Sequence, residues 1–317
     1  MEKCRVISVI NMKGGVGKTT LTKEIGIHLS ETKNKKVLLI DVDPQLNLTQ
    51  AMFRVYGFAQ SREIAQEIEM EISSEVEEDE GEMIHKPSKN PELQISNASI
   101  EKIFSGTVSS AASLKDAIQP LTETLDLIPG ELGIEFSLRN LNSGKLENGI
   151  HDFIKKNNLR STYDYILIDC PPTYSSYTVA ALKPSDLYLV PVKPEAYSIL
   201  GLDMLLKVVE AVVDENSLYF ESKPLNNLGL VFTDIPNTLS TGMEKMIKSI
   251  ENSKALIDRG TYLFTTRFKR NEYLKNNIDY VIDYNKSVQS QQNLELLVNE
   301  MIGRIDSLEK RTIDGEE

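Results

Sequence analysis

The residues best equipped for chemistry lie at Asn11-Met12-Lys13-Gly14-Gly15-Val16-Gly17-Lys18-Thr19-Thr20, between the apolar run Val6-Ile7-Ser8-Val9-Ile10 and a helical pattern. Glycines let a backbone turn tightly enough to aim several N–H groups at one anion, and a helix opening near Lys18 adds its positive dipole end. Lys13, Gly14, Gly15, Val16, Gly17, Lys18, Thr19 and Thr20 therefore read as a phosphate-binding loop. In such a loop Lys18 reaches the β- and γ-phosphates, and the Thr19 hydroxyl takes a Mg²⁺ that bridges them. The expected ligand is a nucleoside triphosphate with Mg²⁺.

Two further acidic sites follow in the same register. Val37-Leu38-Leu39-Ile40 is a continuous apolar run of the kind found in a buried parallel strand, and it ends at Asp41-Val42-Asp43-Pro44-Gln45. The intervening helix, expected over about 18–32, carries Leu21, Ile25, His28 and Leu29 on one face. Strand, crossover helix and strand make a βαβ unit, whose ligands sit outside the carboxyl ends of the strands, so Asp41 and Asp43 emerge beside the loop. Much later, Tyr165-Ile166-Leu167-Ile168 ends in Asp169, a strand-then-aspartate pattern whose carboxylate usually holds a Mg²⁺-bound water.

The loop departs from G-x-x-x-x-G-K-[ST] in having Met12 where the first glycine belongs, followed by Lys13-Gly14-Gly15. This K-G-G-V-G-K-T-T stretch resembles the deviant Walker A loop of the ParA/MinD family of P-loop ATPases. Asp41-Val42-Asp43-Pro44-Gln45 resembles that family's D-x-D-P-Q, Asp169-Cys170-Pro171-Pro172 its D-x-P-P, and Pro191-Val192-Lys193-Pro194-Glu195 its P-V-x-P-E. The resemblance implies that the ligands are ATP and Mg²⁺ and that Lys13 acts in trans on the nucleotide of a second subunit. Two lysines five residues apart cannot both serve one triphosphate as Lys18 does. It further implies that Asp43 orients the attacking water while Asp41 lies near the metal, with Asp169 near it through water. Thr233, in the loop with Asp234, and Asn271, beside Arg270, would border the adenine, although Lys269 stands where the family often has proline.

The elements that must position these groups suggest one unit, residues 1–317, a doubly wound and mostly parallel α/β sheet flanked by helices. An acidic insertion is expected at about 61–98. Ile64, Ile68 and Ile72 mark a short helix, Glu75 to Glu82 is nearly all acid, and Lys86-Pro87-Ser88-Lys89-Asn90-Pro91 is turn chemistry. Leu125-Asp126-Leu127-Ile128 and Leu228 to Thr233 read as further strands. Helices are expected over Leu132 to Leu141, Leu146 to Lys156 and Tyr174 to Leu182, and an amphipathic C-terminal one at about 287–310. The stripe Ile199, Leu202, Leu205, Leu206, Val209, Val212 and Val213 reads as core or subunit interface.

Composition bounds the partners. The net charge is −12, but ten acidic residues and no Lys or Arg lie between Glu63 and Glu82, which leaves about −2 for the remainder. Between Gly242 and Lys286 nine basic residues face six acidic ones, so Lys245, Lys248, Arg267, Lys269, Arg270 and Lys275 are the candidate DNA-binding surface. Two cysteines, Cys4 and Cys170, are too few for a disulfide framework or a thiolate metal site, and no apolar run approaches a bilayer span. The expectation is a cytoplasmic, nucleoid-associated partition ATPase. It would form a homodimer on ATP, bind DNA nonspecifically and be stimulated by a ParB-like adaptor at a centromere-like site. A loop beginning at residue 13 leaves no room for an N-terminal operator-binding extension. Three other readings share the nucleotide motifs. A MinD-like membrane-cycling regulator fits poorly with the acidic end Asp314-Gly315-Glu316-Glu317, and a nitrogenase-like electron-transfer ATPase fits poorly with the cysteine positions. A positioning ATPase for a protein cargo stays open.

Overall fold

The continuous apolar runs are buried on both sides, which is what a parallel sheet covered by helices on each face requires. The computed structural model describes residues 4–78, 93–105, 112–132, 143–276 and 280–314. Its strands are β1 (Arg5–Val9), β2 (Val37–Asp41), β3 (Phe58–Ala59), β4 (Gln94–Ile95), β5 (Gln119–Pro120), β6 (Leu125–Ile128), β7 (Tyr165–Asp169), β8 (Leu187–Val192) and β9 (Asn226–Phe232). Seven of them form one sheet in the order β5-β6-β2-β7-β1-β8-β9, while β3 and β4 pair separately. Every neighbour in the large sheet is parallel except the β5–β6 edge.

Helices of seven residues or more among the described residues are α1 (Lys18–Ile27), α2 (Asn47–Tyr56), α3 (Arg62–Glu78), α4 (Ser143–Lys156), α5 (Ser176–Leu182), α6 (Ser198–Glu215), α7 (Thr241–Glu251) and α8 (Val288–Asp314). Side-chain alternation along β2 sends Leu38 and Ile40 to a core shared with α4, α5 and α6, and Val37 and Leu39 to one shared with α1, α2 and α8. All four are fully buried, each worth about 1.5–3 kcal/mol, so the strand ends that carry the acidic groups rest on a stiff platform. At Gly26 an added Cβ would lie 2.6 Å from Leu39 Cδ2, so α1 sits as close to the sheet as a missing side chain allows.

Strand β7 lies between β1 and β2, with Val9 opposite Asp169 and Asp41 opposite Asp169 in register. The expected βαβ unit is thus present with a later strand inserted at its centre. That insertion brings the third carboxylate to the loop.

Several expectations need adjusting. The helix in the acidic insertion is not short: α3 runs 17 residues to Glu78 and takes in the first part of the acid run. Glutamate is a good helix former, and the Ile64, Ile68, Ile72 spacing gives the helix one apolar edge. Residues 79–92 lie outside the described set, as do the expected helix at 133–142 and the acidic end at 315–317. The two-residue ladder pairing Phe58 with Gln94 and Ala59 with Ile95 clamps the two ends of the insertion together. α8 extends to Asp314, beyond the expected 310, and buries Leu294, Leu297, Val298, Met301 and Ile305. The stripe on α6 is core at Leu202, Leu205, Leu206, Val209 and Val212, whereas Leu200 and Met204 are exposed.

Candidate functional site

The loop leaves β1 at Ile10 and is anchored before its glycines begin. Asn11 Nδ2 donates to Pro191 O at 2.7 Å, and Asn11 Oδ1 accepts from Lys13 N at 3.0 Å, tying the loop to the end of β8. Gly15 and Gly17 take φ of +71° and +86°, a region that costs an L-residue about 1–2 kcal/mol. Gly17 is the residue from which α1 starts. Thr233, at the end of β9, donates its hydroxyl to Val16 O at 2.7 Å and packs against Gly17. Its side chain therefore braces the phosphate loop.

Lys18 is 7% exposed, and its Nζ donates to Lys13 O at 3.3 Å. Burial pushes its ammonium below the usual lysine value, with Asp169 and Asp43 pulling the other way. A buried cation whose hydrogen bond goes only to a carbonyl is suited to an arriving anion. Thr19 Oγ1 donates to Asp169 Oδ2 at 2.7 Å, and Thr22 Oγ1 approaches Asp169 Oδ1 at 3.5 Å. Asp169 is fully buried and its carboxyl is raised well above the usual range, first by burial and then by the charge of Asp41.

Asp41 has a more structural position than the resemblance implies. Its Oδ2 accepts from Thr49 N at 2.8 Å and Thr49 Oγ1 at 2.7 Å, and its Oδ1 accepts from Asp43 N at 3.1 Å. Leu46, which precedes α2, gives no side-chain cap, so the buried Asp41 carboxylate caps that helix from the strand below. Burial pushes Asp41 up to about 6, the hydrogen bonds from Thr49 opposing it. Asp43 is 6% exposed, with Oδ1 accepting from Gln45 N at 3.0 Å.

The carboxylates and Thr19 suit a divalent cation. Asp41 and Asp43 both raise Asp169, which an added positive charge would reverse. Among the described residues no three His, Cys, Asp or Glu side chains are grouped to hold a metal alone. Mg²⁺ keeps several waters and takes phosphate oxygens as ligands.

Lys13 does not join Lys18. Its Nζ lies 2.8 Å from Glu195 Oε1 and donates to Ala196 O at 3.3 Å, in the turn after β8. At the expected adenine side, Arg270 N donates to Ile235 O at 2.7 Å, so the 233–235 and 269–271 segments are adjacent. Asn271, however, spends its amide on Tyr280 OH and Ser290 Oγ at 3.2 and 3.1 Å. Asp234 binds Arg270 at 2.7 Å and Lys193 at 2.9 Å.

The basic surface is less open than its composition suggests. Arg270 is taken by Asp234, Arg267 lies 3.5 Å from Glu251 and over the Phe232 ring, and Lys269 is half-buried. Lys245 and Lys248 are exposed on α7, and the Lys275 side chain lies outside the described residues. Cys4 and Cys170 are buried with thiols pushed up to about 11 and about 12 by desolvation, which leaves no thiolate at the surface. No helix among the described residues is long and apolar enough to cross a membrane.

The sequence motifs take in Asn11 and Glu195 without giving either a role, and Thr49 lies outside them. Asn11 precedes the loop directly and could have been flagged as its anchor. Thr49 and Glu195 act through tertiary contacts that no local pattern announces.

A parallel sheet with a glycine loop, a buried lysine, a hydroxyl and strand-end carboxylates at one edge defines a P-loop nucleotide-binding protein. A family model described as AAA domain matches residues 4–221. The sporulation initiation inhibitor protein Soj of Bacillus subtilis is 31% identical over 214 residues, 66% of each chain. The chain belongs to the ParA/MinD family of P-loop ATPases. Among solved structures, apo McdA of Cyanothece has a TM-score of 0.67 at 19% identity, covering 94% of this chain and 99% of that one. A plasmid partition protein of Borrelia burgdorferi bound to AMPPNP has a TM-score of 0.62 at 21% identity, with the same two coverages of 94% and 99%.

Proposed function

We propose that this chain is a Mg²⁺-dependent partition ATPase that forms a homodimer on ATP, binds DNA nonspecifically in that state and hydrolyses slowly until a ParB-like adaptor stimulates it. The observation that carries this reading is the opposite disposition of the two loop lysines. Lys18 is buried inside the loop, whereas Lys13 points away from it to Glu195 at 2.8 Å, at the edge a second subunit could reach.

In this mechanism Lys18 and the loop N–H groups hold the β- and γ-phosphates of the subunit's own nucleotide. Mg²⁺, when bound, neutralises charge on those phosphates. Thr19 and Asp169, joined at 2.7 Å, are the residues that would hold it, Thr19 directly and Asp169 through water. Asp43 orients the attacking water. Asp41 fixes the Asp43 backbone and the start of α2, and so acts on the metal side only at one remove. Lys13 of each subunit would reach the other's nucleotide and place its positive charge where negative charge builds up on the phosphate oxygens during phosphoryl transfer.

DNA binding follows from doubling a small patch. Lys245, Lys248, Arg267, Lys269, Arg270 and Lys275 give one subunit a few phosphate contacts, each contributing about −0.9 to the log–log salt slope. A dimer that aligns two copies roughly doubles the slope and raises affinity by orders of magnitude, with no base reading. Because Arg267 and Arg270 are ion-paired, Lys245 and Lys248 are the strongest of the set. The protein would then act in the cytoplasm on the nucleoid, and its cargo would be plasmid or chromosomal DNA.

The deciding experiment measures ADP binding, ATP-dependent self-association and DNA affinity across a salt series for the wild type, Lys18→Ala and Lys13→Ala. Lys18→Ala should lose nucleotide binding. Lys13→Ala should keep ADP binding but lose dimers and DNA affinity. Equal loss of ADP binding in both variants would overturn the trans role, and nucleotide-independent DNA binding would overturn the coupling.

A further inference from the structure

The turn that receives Lys13 is built without it. Ser198 Oγ accepts from Glu195 N at 3.3 Å and donates to Lys193 O at 2.8 Å, and β8 fixes the chain just before it. The Glu195 carboxylate is not part of that framework. It meets Lys13, and Ala196 O supplies the second acceptor for the same ammonium. The loop side is equally fixed, since Asn11 anchors Lys13 N and leaves only the long side chain to choose a direction.

We propose that Glu195 is a positioning residue that holds Lys13 in cis in the free subunit, so that assembly of the dimer must first open this pair in both subunits. The inference rests on the trans role proposed above for Lys13. The side chains are 36% and 39% exposed, so solvent screens the pair. Exposed pairs of this kind are worth about two- to five-fold in an equilibrium constant. A contact of that strength keeps a flexible lysine from wandering, yet yields to a polyanionic triphosphate in a drier interface, where the same charge is worth more. Because each subunit gives up one pair, the effect on the dimer constant is squared.

The test compares wild type, Glu195→Gln, Glu195→Asp and Lys13→Ala, each with Mg²⁺ and AMPPNP, by sedimentation equilibrium. Gln keeps the size and removes the charge, and Asp keeps the charge but loses the reach. Both should tighten the dimer by about 4- to 25-fold, with unchanged AMPPNP affinity at subunit concentrations too low to dimerise. In the nucleotide-free subunit, Lys13 should also become a few-fold more reactive to limiting acetyl N-hydroxysuccinimide in Glu195→Gln, with Lys245 as internal reference. Acylation unchanged at Lys13, or a dimer unchanged or weakened by Glu195→Gln while Lys13→Ala abolishes it, would overturn the role of Glu195 alone. If Lys13→Ala dimerises like wild type, the trans reading itself falls and this inference with it.

Discussion

Replacing Asp41 with Asn tests whether the carboxylate cluster is held under electrostatic tension. Asp41 is fully buried, and its carboxyl stands at about 6 in the folded protein against 3.8 for the free side chain. An acid with a raised folded value holds more protons when folded than when unfolded, so between roughly those two values stability increases as pH falls. At pH 8 the group is ionised in both states, and the folded state bears the whole penalty of about 3 kcal/mol. Lowering the pH to 5 recovers roughly half of this, most of the rest returns between pH 5 and pH 4, and little is left below about 3.

Asn cannot take up that proton. It can keep one acceptor for Thr49 or Asp43, but its amide faces a donor, which adds a fixed cost to the variant at every pH. The offset between the two proteins is therefore uninformative, and the slope is what matters. The unfolding free energy of wild type minus that of Asp41→Asn should rise by roughly 1 kcal/mol from pH 8 to pH 5, a change of roughly 2 °C in relative Tm. Thermal unfolding of both nucleotide-free proteins at half-unit pH steps measures it. Parallel Tm profiles would show that Asp41 is not raised, and would return it to the role of an ionised group at the metal.

Asp43→Ala should bind ATP and dimerise, yet turn over about a hundredfold more slowly or worse, in a steady-state phosphate-release assay; a wild-type rate would move the water-orienting role elsewhere. Thr233→Val removes the buried 2.7 Å bond to Val16 O at nearly constant volume, so unfolding should cost about 1–2 kcal/mol less and ADP affinity should fall several-fold, whereas Thr233→Ser keeps both. Equal behaviour of Val and Ser by calorimetry would deny the hydroxyl its bracing role.

The parts of the site that are legible in the sequence are those carried by local backbone pattern. Glycine spacing, four apolar residues ending in an acid, and a crossover of ordinary length place Lys18, Thr19, Asp43 and Asp169 at one sheet edge. Strand order is not local. Only pairing in three dimensions sets β7 between β1 and β2 and joins the Thr19 hydroxyl to Asp169 across 150 positions of chain. Functional side chains that serve other side chains were harder still. Asp41 reads from the sequence as a metal-side residue, and only the fold shows that Thr49, eight positions on, donates twice to its Oδ2, because Leu46 takes a positive φ and offers α2 no cap. Arg267 and Arg270 count as free positive charge in a composition window, but Glu251 and Asp234 fold back to meet them.

Both signs of charge are disfavoured at the same place in this molecule. Desolvation lowers Lys18, and desolvation together with mutual repulsion raises Asp41 and Asp169, although Lys18 eases Asp169 and is eased by it. The compensation is partial, since Lys18 and Asp169 each offset only part of the other's burial penalty. An anion alone would satisfy Lys18 and worsen the carboxylates, and a cation alone would do the reverse. A metal–nucleotide complex would supply both at once, with Lys18 there to hold phosphate and Thr19 and Asp169 to hold the cation. Lys13, the other lysine of the loop, stands outside this balance, paired with Glu195.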